Sequence, residues 1–314
     1  MIDNFQNHRI GVAALVITAL AVTADAQVNE RLASYTGRNA EGYLSPLVRA
    51  FQANLNTALF HSADIPPHGF HVTLEMTAMG TFFDEESRSF SATTEGDFLP
   101  EQTVDAPTVV GNNDAVFVDG VSGTQFAFPG GFDVDHVYYA CPQIRVGSFR
   151  GTEALGRLMF YDTGVLELGD VSVWGVGLRH DIAQYLQFMN PIDLAVAVTW
   201  QNAKLEDGQG NSVIDAGVLS AGLQSGLDLA GMYPYLGLSM SWFDMGVHYK
   251  FDEDFGLEPI QMDFEYDASL QLTFGMAYRV GGLAVYGEYS VANQDALAAG
   301  LSVTFPFNSG SATP

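Results

Sequence analysis

The sequence predicts an all-β fold: a closed antiparallel transmembrane β-barrel of about 10–12 strands, with a short N-terminal helical plug. Three observations carry this. From Gly69 onward, apolar residues recur at every second position. The alternating segments run about 10–15 residues, where strands of ordinary globular domains run about 5–6 and a membrane-spanning strand needs about 9–11. Only 16% of residues are charged, against about 25% in soluble domains.

The chain begins with a targeting pattern. Ile10–Val22 is apolar apart from Thr18, follows His8 and Arg9, and leads to Ala24-Asp25-Ala26. The run is too short to span a bilayer as a helix, and its A-x-A-like end marks residues 1–26 as a signal peptide. No cysteine follows the run to take a lipid anchor, and no later apolar stretch is long enough for a spanning helix. The mature chain therefore either stays soluble outside the inner membrane or crosses a membrane as strands.

Residues 27–68 form the plug segment. Leu44, Leu47, Val48, Phe51, Leu55 and Leu59 recur at three- and four-residue spacings, predicting a helix over Tyr43–Phe60 with Pro46 in its first turn. Leu47, Phe51, Leu55 and Leu59 form its apolar face. The helix is expected at or inside the periplasmic mouth, and Ile65-Pro66-Pro67 hands the chain to the first strand.

The barrel is assigned to residues 69–307, with residues 308–314 as a tail. Phe70–Met79 alternates Val72, Leu74, Met76 and Ala78 with His71, Thr73, Glu75 and Thr77. The same period runs through Tyr138–Phe149, Thr152–Asp162, Glu167–Asp181, Ile192–Gln201, Val213–Leu227, Pro234–Asp244, Ser269–Val280, Leu283–Val291 and Ala296–Phe307. These make ten strands, and one or two more are placed around Arg88–Leu99. Arg150-Gly151, Gly281-Gly282 and Asn293–Asp295 suit tight hairpins. Glu95–Asp135 and the acidic Lys250–Glu265 read as long loops, the first folding over or into the barrel. One side of the strands carries Leu, Val, Ile, Met and Phe, with Trp200, Trp242 and Tyr278 near strand ends where interfacial girdles form. The other side is small and polar and poor in Lys, which suits a lumen. The final strand alternates Leu297, Ala299, Leu301, Val303, Phe305 and Phe307, similar to the terminal signal read by barrel-assembly machinery.

Several stretches carry a family likeness. They are Tyr43-Leu44-Ser45-Pro46-Leu47 running to Leu55-Asn56-Thr57, Phe60-His61-Ser62-Ala63 with Pro66 and Gly69-Phe70-His71, Pro142-Gln143-Ile144-Arg145-Val146-Gly147 with Gly151-Thr152-Glu153, and Gly175-Val176-Gly177-Leu178-Arg179-His180-Asp181. Together they resemble an uncharacterised family of exported bacterial proteins taken to be outer-membrane barrels. The likeness spans nearly the whole mature chain and implies the architecture, with no activity attached. A helix ahead of a barrel is also similar, in architecture alone, to the long-chain fatty-acid transporter family, whose N-terminal segment plugs the lumen.

Composition excludes some functions. The formal charge is −25, from 12 basic and 37 acidic residues, which argues against nucleic acid and against a polybasic membrane binder. The single Cys141 rules out an internal disulfide and a thiolate cluster, and reads as an inert strand residue. His61, Asp64, His68 and His71 are zinc-ligand types, but their irregular spacing and two intervening prolines favour a helix-to-strand junction. No G-x-S-x-G elbow, H-E-x-x-H pair or phosphate-cradling loop occurs, so no catalysis and no cofactor is expected. Arg179-His180-Asp181 is no triad, because neighbours on a strand point to opposite faces.

The candidate lumen-facing residues are His71, Glu75, Arg145, Glu153, Arg157, Arg279 and Glu288, with Arg179 beside them. On that face they form a ladder of paired charges that anchors the plug or sets ion preference. The expected partners are membrane lipid, the barrel-assembly machinery and a small hydrophobic solute. The expected place is the outer membrane of a Gram-negative cell. The leading expectation is passage or binding of that solute through a plugged barrel. The alternatives are a structural or adhesion-type barrel without transport, and a soluble periplasmic β protein.

Overall fold

In a computed structural model, the described residues are 35, 37–66, 68–162, 168–186, 191–207, 212–249 and 260–307. The predicted signal peptide and the C-terminal tail lie outside them. One helix, α1 (Gly37–Leu55), precedes fourteen strands. Ten of these close the barrel: β1 (Phe70–Phe82), β6 (His136–Phe149), β7 (Thr152–Asp162), β8 (Leu168–Asp181), β9 (Asp193–Asp207), β10 (Ser212–Gly226), β11 (Met232–Tyr249), β12 (Ile260–Val280), β13 (Leu283–Val291) and β14 (Ala296–Phe307). Each pairs antiparallel with its sequence neighbour, and β1 closes the ring by pairing with both β14 and β6. Closure satisfies every strand edge, which a sheet in lipid requires.

The strands expected near Arg88–Leu99 do not join the wall. β2 (Ser89–Thr93) pairs with β3 (Thr103–Pro107), and β4 (Val116–Asp119) pairs with β5 (Gln125–Phe128), as two separate hairpins. Glu95–Asp135, read as an extended loop, is thus part of a folded cap over residues 83–135. Its aromatic core joins Phe98, Phe126 and Phe128, with Phe126 and Phe128 ring centres 4.8 Å apart. Lys250–Glu265 also needs correction. Residues 250–259 lie outside the described ones, but Ile260 onward belongs to β12, and β11 runs to Tyr249.

The helix starts and stops earlier than its apolar spacing suggests. In its first turn, Asn39 donates to the Thr93 carbonyl at 2.6 Å while its amide oxygen accepts from Thr93 N–H at 3.0 Å, tying the helix start to β2. Pro46 lies inside the helix rather than in its first turn. Proline supplies no N–H to the Gly42 carbonyl one turn back, and the adjacent Tyr43 carbonyl accepts from Val109 N–H of the cap, at 2.9 Å. The chain leaves helical geometry after Leu55 because wall side chains take over its carbonyls.

Polarity inverts along the tall side of the barrel. On β11, Met232, Leu236, Leu238, Met240 and Trp242 face outward and are exposed, while Tyr233, Tyr235 and Ser241 are buried inside. Beyond Trp242 the pattern reverses. Asp244 faces outward, and Phe243, Met245 and Val247 point into a core shared with Val218, Phe264, Leu44, Leu47 and Val48. Trp200 on β9, in an edge-to-face pair with Trp174 at 4.6 Å, precedes the same change to Asn202 and Lys204. The ten-residue step from Met232 to Trp242 rises about 25 Å at a tilt of about 40°, matching the apolar band of an outer-membrane barrel. At the opposite rim lie Tyr278 and the Phe70–Phe307 pair, whose rings are 5.5 Å apart. The barrel is therefore a membrane section with a polar interior, continued by a section with an ordinary apolar core.

Inward glycines shape the membrane section. Tyr235 lies flat across its cross-strand partner Gly275, and Tyr286 across Gly300. A Cβ on Gly275 would sit 2.0 Å from the Tyr235 ring. Both hydroxyls then reach beyond the neighbouring strand, Tyr235 to Glu288 at 2.7 Å and Tyr286 to Thr77 at 3.3 Å. Gly275→Leu is expected to cost at least the ~1–3 kcal/mol typical of overpacking. Its fast-migrating unboiled gel band should disappear at a lower temperature than that of the native chain, whereas Leu272→Met, on the lipid side, should leave that temperature unchanged.

Candidate functional site: the plug latch in the lumen

The plug has two parts. The helix packs its apolar side into the cap-side core, where Leu47 and Leu55 are buried and Phe51 is half-buried. Its other side turns Gln52 toward Ser241 and Asn54 toward Thr81. Leu59 lies beyond the helix, buried in the lumen. After Leu55 the chain runs without regular structure through the membrane section to β1, so α1 sits at the mouth opposite β1's start. Locating it near that start fails because residues 56–69, at up to ~3.3 Å each, are long enough to cross the lumen.

A non-helical backbone at membrane depth needs partners for its polar groups, and wall side chains provide them. Arg157, 1% exposed, stands at the centre. Its guanidinium donates to the carbonyls of Leu55 at 3.3 Å, Thr57 at 3.0 Å and Ala58 at 3.0 Å. It also donates to Gln143 at 3.0 and 3.1 Å and to Gln201 at 3.2 Å. A helix end exposes unpaired carbonyls and a partial negative charge, so Arg157 caps α1 with a cation. Gln201 adds a donor to Leu55 at 2.5 Å and Gln143 one to Ala58 at 3.0 Å.

The pattern continues down the lumen. Gln271 donates to the Asn56 carbonyl at 3.3 Å, Gln224 to Phe60 at 2.6 Å, and Arg179 to Ser62. The Ala58 N–H donates to Glu288 at 2.7 Å, and the Ala63 N–H to the Tyr233 hydroxyl at 3.2 Å. The wall thus takes the part that a sheet or helix plays elsewhere.

A charged ladder backs these contacts. Arg145 bonds Glu75 at 2.8 Å through Nε and approaches Glu153 at 3.4 Å. Arg179 pairs with Glu153, and His71 Nε2 lies 2.8 Å from the same carboxylate. His61 reaches Glu75 at 3.1 Å and stacks on Tyr286 with ring centres 4.3 Å apart. Three arginines (145, 157 and 179) face three glutamates (75, 153 and 288) in this buried set, so the lumen's formal charges balance. Arg279 stands apart at the β1 mouth, bonded to Asp64 at 2.9 Å and 4.0 Å above the Tyr233 ring. The zinc-type residues His61, Asp64 and His71 are thereby engaged by separate partners: Glu75, Arg279 and Glu153.

All seven candidate lumen residues project inward, and all but Arg279 meet in one network. The amides Gln143, Gln201, Gln224 and Gln271, with Asn54 and Asn56 from the plug, are the members that charge alone does not reveal. The signal for them is glutamine on the small, polar face of strands otherwise lined with Gly, Ser and Thr.

A family model described as a family of unknown function (DUF6588) matches residues 7–305. The chain belongs to that family. No curated protein matches it. Among solved structures, the translocator domain of the autotransporter NalP from Neisseria meningitidis is similar at 11% identity and a TM-score of 0.34, covering 85% of this chain and 100% of that one. The Pseudomonas putida toluene transporter TodX is similar at 10% identity and a TM-score of 0.29, covering 81% and 93%. Neisserial surface protein A is similar at 14% and 0.28, covering 76% and 98%. The closure and apolar band of this barrel carry the reading that follows.

Arg157→Ala is expected to strand buried carbonyls at the helix end and lower stability toward denaturant by about 3–5 kcal/mol. Arg157→Lys should recover less than half of that, because a compact ammonium does not reproduce the planar fork. Chemical denaturation of the detergent-folded barrel, followed by tryptophan fluorescence, measures both.

Proposed function

We propose that the protein is an outer-membrane barrel closed to diffusion, which anchors a folded cap at the cell surface. The observation that carries this is the lumen filled by residues 37–66, whose backbone is hydrogen-bonded to the wall from Leu55 to Ala63. A cavity bordered by Asn56, Ala58, Leu59 and Phe60 measures about 80 Å³, roughly half the ~150 Å³ of a dry apolar cavity that binds benzene. Its lining mixes Asn56, Thr199, Ser239 and Glu288 with Leu59, Phe60, Leu223 and Leu238, so its small volume, not its polarity, is what disfavours a bulky solute. Of the residues expected along a solute route, Leu47 and Leu55 are buried and Phe51 packs against the cap-side core, while Leu59 borders this cavity.

Orientation follows from the connections. The two-residue turns 150–151 and 281–282 lie at the β1 mouth, and the connection from 83 to 135 lies at the other. Outer-membrane barrels keep short turns in the periplasm and long loops outside, which puts the cap outside. Export would use the signal peptide cleaved after Ala26, and insertion would use the aromatic-ended β14 as the signal to the assembly machinery. The reading assigns no catalysis to the protein, and membrane lipid is the partner of the outer wall.

The test is electrical. The native barrel in a planar bilayer is expected to stay silent, and the double variant Arg157→Ala/Gln201→Ala is expected to open discrete conductance steps as the plug loosens. Steady conductance from the native barrel would contradict the sealed reading.

A further inference from the structure

We infer that the polypeptide is threaded through its own barrel, so that the amino end of α1 is displayed outside the cell beside the cap, while β1 and β14 begin and end at the periplasmic mouth. The inference rests on the membrane-anchor reading above and adds a topology to it: the amino end of α1 outside and the last strand finishing inside.

The route is fixed at both ends by contacts. At the cap, Tyr35 is buried, with its ring 5.9 Å from Phe90 and 6.3 Å from Phe128 of the hairpins. Asn39 is tied to β2, donating to the Glu95 carboxylate at 2.5 Å as well as to Thr93. Tyr43 donates to the Gly130 carbonyl at 3.2 Å. At the other mouth, Asp64 is paired with Arg279, whose strand ends one residue later at the 281–282 turn. Between these points the wall contacts march steadily, from Ser241 against Gln52, through Arg157 at Leu55–Ala58, to Tyr233 at Ala63. On β11 this is a descent from Ser241 to Tyr233, toward the β1 mouth. The chain therefore crosses the lumen once, with the amino end of α1 on the cap side.

This route has a functional consequence. A segment that only plugged a mouth would need no anchorage to the cap, whereas here the helix's first turns are built into the cap's aromatic core. The barrel holds a through-going strap, and the strap's leading end shares a surface with the hairpins. The function added is display: the amino end of α1 is held at the surface with the hairpins by a strap that Arg157 caps.

The chain's own cysteine usage makes this testable. Cys141 is the single cysteine and is buried inside the wall, so single cysteines placed elsewhere report cleanly. Arg38, Ala115 and Ala230 are exposed at the helix start, the cap and the β1 mouth respectively. Cells carrying Arg38→Cys, Ala115→Cys or Ala230→Cys in the full chain are treated with a membrane-impermeant maleimide before and after outer-membrane permeabilisation. Labelling of Arg38→Cys and Ala115→Cys in intact cells, with Ala230→Cys labelled only after permeabilisation, is the expected result. Protection of Arg38→Cys in intact cells would overturn the threading. If Ala115→Cys is still labelled in that case, the anchor reading survives, whereas loss of the heat-shifted band in all three variants and the native chain would remove the anchor reading itself.

Discussion

The architecture depends on the Arg157 guanidinium, which ends a helix in the middle of a membrane-embedded lumen. A helix terminus leaves up to four carbonyls without intrahelical partners, and inside a barrel in lipid no bulk water waits to receive them. Arg157 reaches the carbonyl of Leu55, the last residue of α1, and those of Thr57 and Ala58 beyond it, and is itself held by Gln143 and Gln201. Neutral amides orient the cation here, so the arginine is not drawn into a carboxylate pair and keeps its fork free for the backbone. The Glu75–Arg145–Glu153–Arg179 chain, one step toward the β1 mouth, settles its own charges and leaves Arg157 to the helix.

The two-part interior gives this arrangement its sense. Above the tryptophans the barrel is built like a soluble protein, with Phe243, Met245 and Val247 inside and Asp244 outside. Below them it is built for lipid, with Leu236, Leu238 and Met240 outside and a polar interior. The plug follows the same rule. Its helix, with Leu44, Leu47 and Val48, belongs to the apolar section, and its irregular polar stretch from Asn56 to Ser62 belongs to the polar one. The helix ends where the wall changes from apolar packing to hydrogen-bond donors.

The sequence made the wall legible because period-two alternation, strand length and turn residues agreed on ten segments, and each holds a strand. The inward projection of His71, Glu75, Arg145, Glu153, Arg157, Arg279 and Glu288 could be read from parity alone, since over the membrane section the opposite face is apolar. Three features were not legible. The cap's β2–β5 strands are only 4–5 residues long, too short for alternation to register. The end of α1 was placed five residues late, because Leu59 continues the helical spacing while the actual stop is imposed by Arg157, about a hundred residues away. The acidic stretch before Glu265 looked like loop because the upper part of β12 carries its polar residues outward, the reverse of the membrane section. Tertiary contacts outside any local window decided all three.

Wall side chains fix the plug's irregular backbone as firmly as a regular element would. Amide hydrogen exchange at Ala58 and Ala63 in the detergent-folded barrel tests this most directly, because their N–H groups bond only to the side chains of Glu288 and Tyr233. Exchange as slow as that of the neighbouring strand amides is the predicted result. Exchange at the rate of an open loop would show that the plug rests loosely in the lumen, and would contradict the account.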